Sequence, residues 1–369
     1  MRESVVAIRT MDRGEIMCPS SGPTAGRIIA FGRGVLLPGR LASRRRDPTS
    51  TDVVVVTYQS AGHVERCLAA ARECPQVTRL IVVDNASGDG SADAARRAGA
   101  DVVIANPVNE GFARAVNRGL AEVATPRVLL LNPDALITPA ALASLHDALA
   151  AAPDAVIAAP LLRSVGGELR AGAGRQATLV RRVGLCLPLA GRMAPFKAEY
   201  TVPADLHTRH RTVEAGYVHG AVMLVDRTFL SSIGGLDERF FLFSEDEDLC
   251  MTAWRTGRRV LLDGRAVVTH VGGASCTDEV AREAQRLVST HHLLSKHAGE
   301  RAADAYRAGV LAAFALRGAA ATCAPQRRRI IAMTAKRFDH ALRTRTEPLA
   351  RTPRDGARAG SGTLATRTS

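Results

Sequence analysis

Arg127-Val-Leu-Leu-Leu-Asn-Pro-Asp-Ala-Leu-Ile-Thr138 is the stretch whose reading decides the fold. Val128 to Leu131 is a short apolar run, read as a strand buried on both faces. It must stop at Asn132-Pro133-Asp134, because proline has no N–H to give to a sheet ladder. Thr138 is a predicted helix N-cap, with Pro139 in its favoured first position. The carboxylate of Asp134 therefore sits on a tight turn at the carboxyl end of a central strand. Open α/β sheets bind ligands at that edge. Taken alone, Asn-Pro-Asp is also a plain turn signal, so the flanking sequence has to decide.

Working outward, the same unit repeats. Val53 to Val56 is a β-branched run ending in Thr57-Tyr58, followed by a helix over about His63 to Glu73. Leu80 to Val83 is a second strand, ending in Asp84-Asn85, and a second helix stops at Gly99. Asp101 to Ile104 is a third strand, and a helix over Phe112 to Val123 leads into the central one. After the Pro139 helix, Ala155 to Ala159 is a fifth strand. Strand and helix alternating over Asp52 to Pro160 predict a doubly wound, mostly parallel α/β sheet.

From Leu161 to Tyr217 the pattern weakens and glycine, arginine and proline become frequent, which predicts a long excursion over one end of the sheet. Regularity returns with a strand at Ala221 to Val225, a helix near Arg227 to Ile233, a helix running from the Ser244–Leu249 stretch to Thr256, and strands at Val260 to Leu262 and Ala266 to Thr269. His270 closes the last strand. Past Ser275 the chain reads as helical. The expected organisation is a basic, disordered segment at 1–50, a sheet domain at 51–275 (51–160 and 161–275 as its halves), helices at 276–324, and a basic, largely disordered tail at 325–369.

Charge follows the same division. The net charge is +13. Residues 1–50 carry nine arginines against four acids, and the chain from Pro325 onward carries eleven Lys/Arg against three acids, which leaves 51–324 close to neutral. A nucleic-acid partner would call for a basic face on the folded core, so nucleic acid is not expected. Basic tails suit an anionic membrane surface or simple solvation. Ala308 to Ala324, apolar with a basic cluster behind it, has two open readings: an amphipathic helix on a membrane surface or a helix packed on the domain. Seven scattered cysteines without a Cys-x-x-Cys pair speak against a disulfide framework and a structural zinc site. With no secretory signal and no transmembrane run, the expected location is the cytoplasm, with peripheral contact to the inner face of the cell membrane.

Three strand ends converge in this arrangement: Thr57-Tyr58, Asp84-Asn85 and Asn132/Asp134. Asp84 can accept a hydrogen bond from a base N–H, and Tyr58 can pack on a ring. Asp134 suits a hard divalent cation that bridges to a diphosphate. The three lysines, Lys197, Lys296 and Lys336, do not follow glycine, so there is no Gly-Lys phosphate loop. Gly88-x-Gly90 lacks the third glycine of a dinucleotide site. Ser244 and Glu247 match a helix capping box, which leaves Glu245, Asp246 and Asp248 unexplained. An ionised carboxylate at a helix start beside Phe240, Phe241 and Phe243 is suited to act as a general base. His270 reads either as a core histidine or as a diphosphate or metal ligand.

These segments together resemble glycosyltransferase family 2, in its rhamnosyltransferase-like branch. Val82-Val83-Asp84-Asn85-x-Ser87-x-Asp89-Gly90-Ser91, Asn109-x-Gly111-Phe112-Ala113-x-x-x-Asn117-x-Gly119, Leu130-Leu131-Asn132-Pro133-Asp134, Gly234-Gly235-x-Asp237-Glu238-x-Phe240-Phe241, Glu245-Asp246-x-Asp248-Leu249-Cys250 and His270-x-Gly272-Gly273-x-Ser275 follow the family's motifs in order. The resemblance implies a GT-A fold, with an acceptor-side extension and C-terminal helices around the sheet. It also implies a dTDP- or UDP-sugar donor, a glycan or polyprenyl-linked acceptor, Mg2+ or Mn2+, and inversion at the anomeric carbon. It implies Asp246 as base with Glu245 beside it, and Asp134 and His270 at the metal. Thr57, Tyr58, Asp84, Asn85, Asn109, Gly111, Phe112, Asn117 and Asn132 are then expected around the nucleotide sugar. Asn132 replaces the first acid of the family's metal motif, and Thr252 stands where an arginine is common. Two rival readings are a sugar nucleotidyltransferase, which lacks its triphosphate loop here, and an inactive sugar-nucleotide-binding subunit.

Overall fold

The computed structural model describes residues 47–170, 172–176, 178–186, 206–207, 209–272, 278–321 and 324–347. The basic N-terminal segment up to Arg46, Gly273, Ser275 and the tail beyond Glu347 lie outside the described residues.

The strand and helix alternation holds. β1 (Thr51–Thr57), α1 (Ala61–Arg72), β2 (Val77–Asp84), α2 (Ser91–Arg97), β3 (Val102–Ala105), α3 (Phe112–Glu122), β4 (Arg127–Leu131), β5 (Ala135–Leu136), α4 (Pro139–Ala151) and β6 (Ala155–Arg163) follow in order. Thr138 caps α4 as expected, its side chain accepting from the Ala141 N–H with Pro139 next in line. β1 is buried along its whole length, which is what its β-branched run requires.

Next come β7 (Leu169–Arg170), β8 (Ala173–Gly174), α5 (Leu179–Cys186), β9 (Thr212–Glu214), β10 (Tyr217–Val218), β11 (Val222–Asp226), α6 (Arg227–Ile233), α7 (Glu245–Arg255) and β12 (Arg259–His270). The main sheet runs β3-β2-β1-β4-β11-β6-β12-β5. Its β3-β2-β1-β4 portion is parallel. β11 then inserts antiparallel between β4 and β6, with Val222 opposite Leu131. The fifth strand of the repeat therefore does not lie beside the fourth, a point the alternation cannot reveal. The two short strands expected at the end are one bulged strand, β12, whose register against β6 slips between Asp263 and Val267. Two apolar layers flank the sheet. One packs Val54, Ile81, Val83, Leu130 and Val225 under α3 and α7, and the other packs Val53, Val55, Leu129 and Leu224 under α1 and α4.

Three helices close the described chain: α8 (Glu279–Ala298), α9 (Glu300–Ala320) and α10 (Pro325–Thr344). They share a core of Leu287, Val288, Tyr306, Val310, Phe314, Ile331 and Phe338. The expectation of a largely disordered tail from 325 is corrected over Pro325–Thr344. Ile331, Thr334, Phe338 and Ala341 recur at helical spacing, and all four are buried. The high arginine content hides this stripe from a composition argument. α9 likewise buries one face, through Ala303, Tyr306, Val310, Ala313 and Phe314, so the packed reading of Ala308–Ala324 holds for that face.

Phe338 is fully buried and meets Tyr306 edge to face, with ring centroids 6.4 Å apart. Phe338→Ala is expected to lower stability by about 3–5 kcal/mol in a denaturant titration. A dispensable tail would show no change.

Candidate functional site

The register of two short pairings assembles the site. β5 pairs antiparallel with the end of β12, placing His270 opposite Ala135. The Asp134 Oδ1 oxygen then lies 3.2 Å from His270 Nε2, and the Gly272 N–H donates to Asp134 Oδ2 at 2.8 Å. Asn132 Nδ2 lies 3.5 Å from the same imidazole nitrogen. Burial pushes the Asp134 carboxyl up, but the His270 hydrogen bond and charge and the Gly272 N–H outweigh it, so its pKa falls below the ordinary carboxylate value. His270 is thus partly buried and paired with the Asp134 carboxylate. Behind Asn132, the Cys67 thiol is pushed up to about 12 by burial and then by the Asp134 charge. It is a packing group, and Cys67, Cys74 and Cys250 are all free thiols.

Among the described residues no three His, Cys, Asp or Glu side chains gather as a complete metal cage. Asp134 and His270 nevertheless fit a divalent ion that takes its remaining ligands from a diphosphate. Neighbouring ligands around one such ion stand about 3 Å apart, which is their separation.

Next to this pair, the Thr57 hydroxyl donates to Asp84 Oδ1 at 2.8 Å, and the Ser87 N–H donates to Asp84 Oδ2 at 3.0 Å. Both residues are buried at the ends of β1 and β2, and Tyr58 is half-buried beside them.

Several residues expected around the nucleotide sugar form a seam instead. Asn85 donates to the Gly111 carbonyl and accepts from Asn106. Asn109 Oδ1 accepts from the Gly111 N–H. The Phe112 N–H donates to the Phe241 carbonyl at 2.6 Å. A Cβ on Gly111 would come within 2.8 Å of the Phe241 backbone, and its φ of +88° suits only glycine. The carboxamide of Asn117 donates to the Leu236 carbonyl and accepts from the Leu236 N–H, both at 2.8 Å. The polar groups of Asn85, Asn109 and Asn117 are thus engaged in holding α3 and its entry loop, and through Gly111 and Asn117 they bind these to the 234–241 segment. Family motifs mark positions that matter without distinguishing a ligand contact from a joint between two halves.

The four acids of α7 each meet a different environment. Asp246 Oδ2 accepts from the Gly220 N–H at 2.8 Å, and its Oδ1 accepts from the Glu247 N–H. Glu247 pairs with Arg182 of α5. Asp248 pairs with Lys296 at 2.8 Å and with His297 at 2.7 Å, both on α8. Glu245 is buried, and its Oε2 has no partner among the described residues. Burial, then the Asp246 charge, raises its pKa well above the ordinary carboxylate value. The expected capping box is absent. Ser244 has a left-handed φ of +63° and makes no side-chain cap bond, while Glu247 is drawn to Arg182.

One connection was missed in the sequence. Gly220 holds Asp246, and the next residue, Ala221, accepts from the Asn132 N–H at 2.9 Å. Gly220-Ala221 therefore links the Asp246 carboxylate to the Asn132–Asp134 turn. The only hint in the sequence was their position just ahead of β11, and it needed the antiparallel register to be read.

A carboxylate–histidine pair at the sheet edge, a buried aspartate at a strand end and a carboxylate on a helix start make up the candidate site. Residues 52–230 match the family described as glycosyl transferase family 2. The chain is 28% identical over 264 residues to N-acetylglucosaminyl-diphospho-decaprenol L-rhamnosyltransferase of Mycobacterium tuberculosis, covering 67% of this chain and 85% of that protein. It is 25% identical over 209 residues to a low-salt glycan biosynthesis hexosyltransferase of Haloferax volcanii, covering 55% and 61% of the two chains. A mannosyltransferase of Pyrobaculum calidifontis, solved with GDP-mannose and Mn2+, superposes with a TM-score of 0.47 at 19% identity, covering 82% of this chain and 85% of that one.

Asp134→Ala is expected to weaken Mn2+-dependent binding of a nucleoside diphosphate, measured by calorimetry. The loss should be at least the roughly 10- to 100-fold that even an outer-shell metal partner contributes. Unchanged affinity would leave Asp134 as a turn residue.

Proposed function

We propose that this glycosyltransferase is inverting and metal-dependent. It moves a sugar, rhamnose first among candidates, from a dTDP- or UDP-sugar to a hydroxyl of a glycan or polyprenyl-linked acceptor in cell-wall or surface-polysaccharide assembly. The carrying observation is Asp246, a carboxylate without a cationic partner among the described residues, joined through Gly220-Ala221 to the Asn132–Asp134 turn. The named activity of the mycobacterial relative supports the sugar and the acceptor class.

In this reading Asp84 and Thr57 receive the nucleoside end, and Tyr58 packs against it. Asp134 and His270 would hold a divalent ion, which when bound would offset charge on the departing diphosphate. Asp246 takes the proton from the acceptor hydroxyl as that oxygen attacks the anomeric carbon from the face opposite the diphosphate. Its two backbone N–H donors, Gly220 and Glu247, fix the direction of the carboxylate and leave lone pairs for the proton. Glu245 is buried beside Asp246, and burial disfavours a second charge there.

Asp246→Asn should cut transfer by roughly 10²- to 10⁴-fold, with donor affinity unchanged by calorimetry. Wild-type turnover in the variant would place the base elsewhere. The donor is found by thermal shift with a panel of dTDP- and UDP-sugars and Mn2+, since a bound donor raises the melting temperature by mass action.

The acceptor class also gives α9 and α10 a role. No helix among the described residues is long and apolar enough to cross a membrane. Arg327, Arg328, Arg329 and Lys336 are exposed, interleaved with Ile330 and Met333, and Leu316 is exposed on α9. This composition suits peripheral contact with anionic lipid at the inner face of the cell membrane. Replacing Arg327, Arg328 and Arg329 by glutamine should weaken binding to phosphatidylglycerol vesicles by about 3 kcal/mol, on the order of 10²-fold. The melting temperature should not move. Equal vesicle binding would remove the membrane role.

A further inference from the structure

The helix that carries Asp246 has no local device to fix its start. Phe243 and Ser244, the two residues before it, are both in the left-handed region, with φ of +71° and +63°. Non-glycine residues rarely sit there. Ser244 offers no side-chain cap. Whatever sets the rotation of the first turn must come from elsewhere in the fold.

Much of it comes from the C-terminal helices. Lys296 Nζ lies 2.8 Å from Asp248 Oδ2 and 2.9 Å from Asp237 Oδ2. His297 Nε2 lies 2.7 Å from Asp248 Oδ1, and its side chain is 4% exposed. Adjacent residues of α8 thus grip both oxygens of one carboxylate, and Lys296 also ties that carboxylate to the Gly235–Asp237 turn. Burial opposes ionisation of Asp237, yet the Arg239 and Lys296 hydrogen bonds hold its carboxyl well below the usual range. The preceding loop is held by the same helix, because the Ser289 hydroxyl donates to the Leu242 carbonyl at 2.7 Å. A cleft of about 190 Å³ opens on this junction, lined by Gly234, Gly235, Asp237, Asp248, Thr252 and Lys296 among others. Thr252, one turn beyond Asp248, brings no cation, so the charge that Asp248 needs arrives from α8.

Two residues along a helix is a rotation of about 200°. Asp248 and Asp246 therefore point to nearly opposite sides. Fixing Asp248 against α8 fixes the opposite side too, where Asp246 meets the Gly220 N–H.

We propose that Lys296 and His297 are positioning residues for Asp246: by clamping Asp248 they set the rotation of the first turn of α7 and hold the Asp246 carboxylate in line with the acceptor hydroxyl. The inference rests on Asp246 being the base. It gives the helices beyond the 52–230 family segment a part in the reaction.

The test compares Lys296→Met, Lys296→Arg, the double variant Asp248→Asn/Lys296→Met and Asp246→Asn. The donor is dTDP-rhamnose and the acceptor a short-chain N-acetylglucosaminyl-diphospho-prenol. Active sites are counted by calorimetric titration with dTDP and Mn2+, so turnover is expressed per competent site and misfolded protein does not count. A 1 Å misplacement costs about 10²-fold, so Lys296→Met is expected to lower kcat by about tenfold to a hundredfold with donor KM unchanged. Lys296→Arg, which keeps the cation, is expected to restore most of the rate. Wild-type kcat per site in Lys296→Met overturns the proposal, and so does a donor KM that rises in step with the fall in kcat. Should Lys296→Met fail to fold, the double variant leaves no unpaired buried charge and must show the same kcat loss; wild-type turnover there overturns the proposal. Full turnover in Asp246→Asn removes the base reading itself. Loss in Asp246→Asn with wild-type turnover in Lys296→Met removes only the role of Lys296 and His297.

Discussion

Four acidic residues in succession, Glu245 to Asp248, occupy one turn of helix, and the rest of the structure is arranged around that crowding. A helix N-terminus favours negative charge by about 0.3–1 kcal/mol per group, too little to hold four carboxylates close together. Three are answered, each from a different part of the chain. Arg182 comes from the excursion between β6 and β11, Lys296 and His297 come from α8, and Gly220 comes from the segment entering β11. Glu245 has no cation beside it among the described residues, and its burial in the core raises its pKa well above the ordinary carboxylate value. The extension and the C-terminal helices can be understood as the partners that this turn requires.

These pairs are not a large source of stability. Arg182 and Glu247 are almost entirely removed from water, with side chains 14% and 4% exposed. The desolvation of such a pair can match or exceed the attraction gained. What the pairs supply is orientation, because Arg182 and Lys296 hold α7 from two different segments at once. The stability comes from the apolar layers on either side of the sheet and from the separate core of α8 to α10.

The repeated half of the fold was legible because each strand is a short apolar run that ends in a breaker. Asn132-Pro133-Asp134 and Asp84-Asn85 fall where strand ends must be, and Thr138 caps α4 for the reason its side chain suggests. What was not legible depends on register or on partners distant in sequence. The insertion of β11 between β4 and β6 is a choice of neighbour, and local pattern carries no information about neighbours. The Ser244–Glu247 box was a sound local inference that lost to a stronger charge partner, Arg182, from another segment. Asn117 read as a ligand group by its motif, yet its carboxamide matches the Leu236 backbone at both ends. The helix of Pro325–Thr344 was obscured because arginine dominates its composition while only every third or fourth residue touches the core.

The same crowding leaves one of the four acids half-exposed and without a cation, the one proposed as the base. Glu247 and Asp248 are each committed to a cation, and both are buried. Glu245 is buried too, and burial raises its pKa well above the ordinary carboxylate value. Asp246 alone is half-exposed, has no ion pair among the described residues, and is held only by backbone N–H groups. Backbone donors orient a carboxylate without neutralising it, so it remains an anion with accessible lone pairs. A base that must meet an incoming hydroxyl needs this combination of fixed direction and unmatched charge. Two of the four acids make that possible by being satisfied elsewhere: the cation pairs of Glu247 and Asp248 limit the repulsion that would otherwise displace Asp246 from the Gly220 N–H. The Glu245–Asp248 run is thus a single electrostatic unit, in which the position of the Asp246 carboxylate depends on how its three neighbours are held.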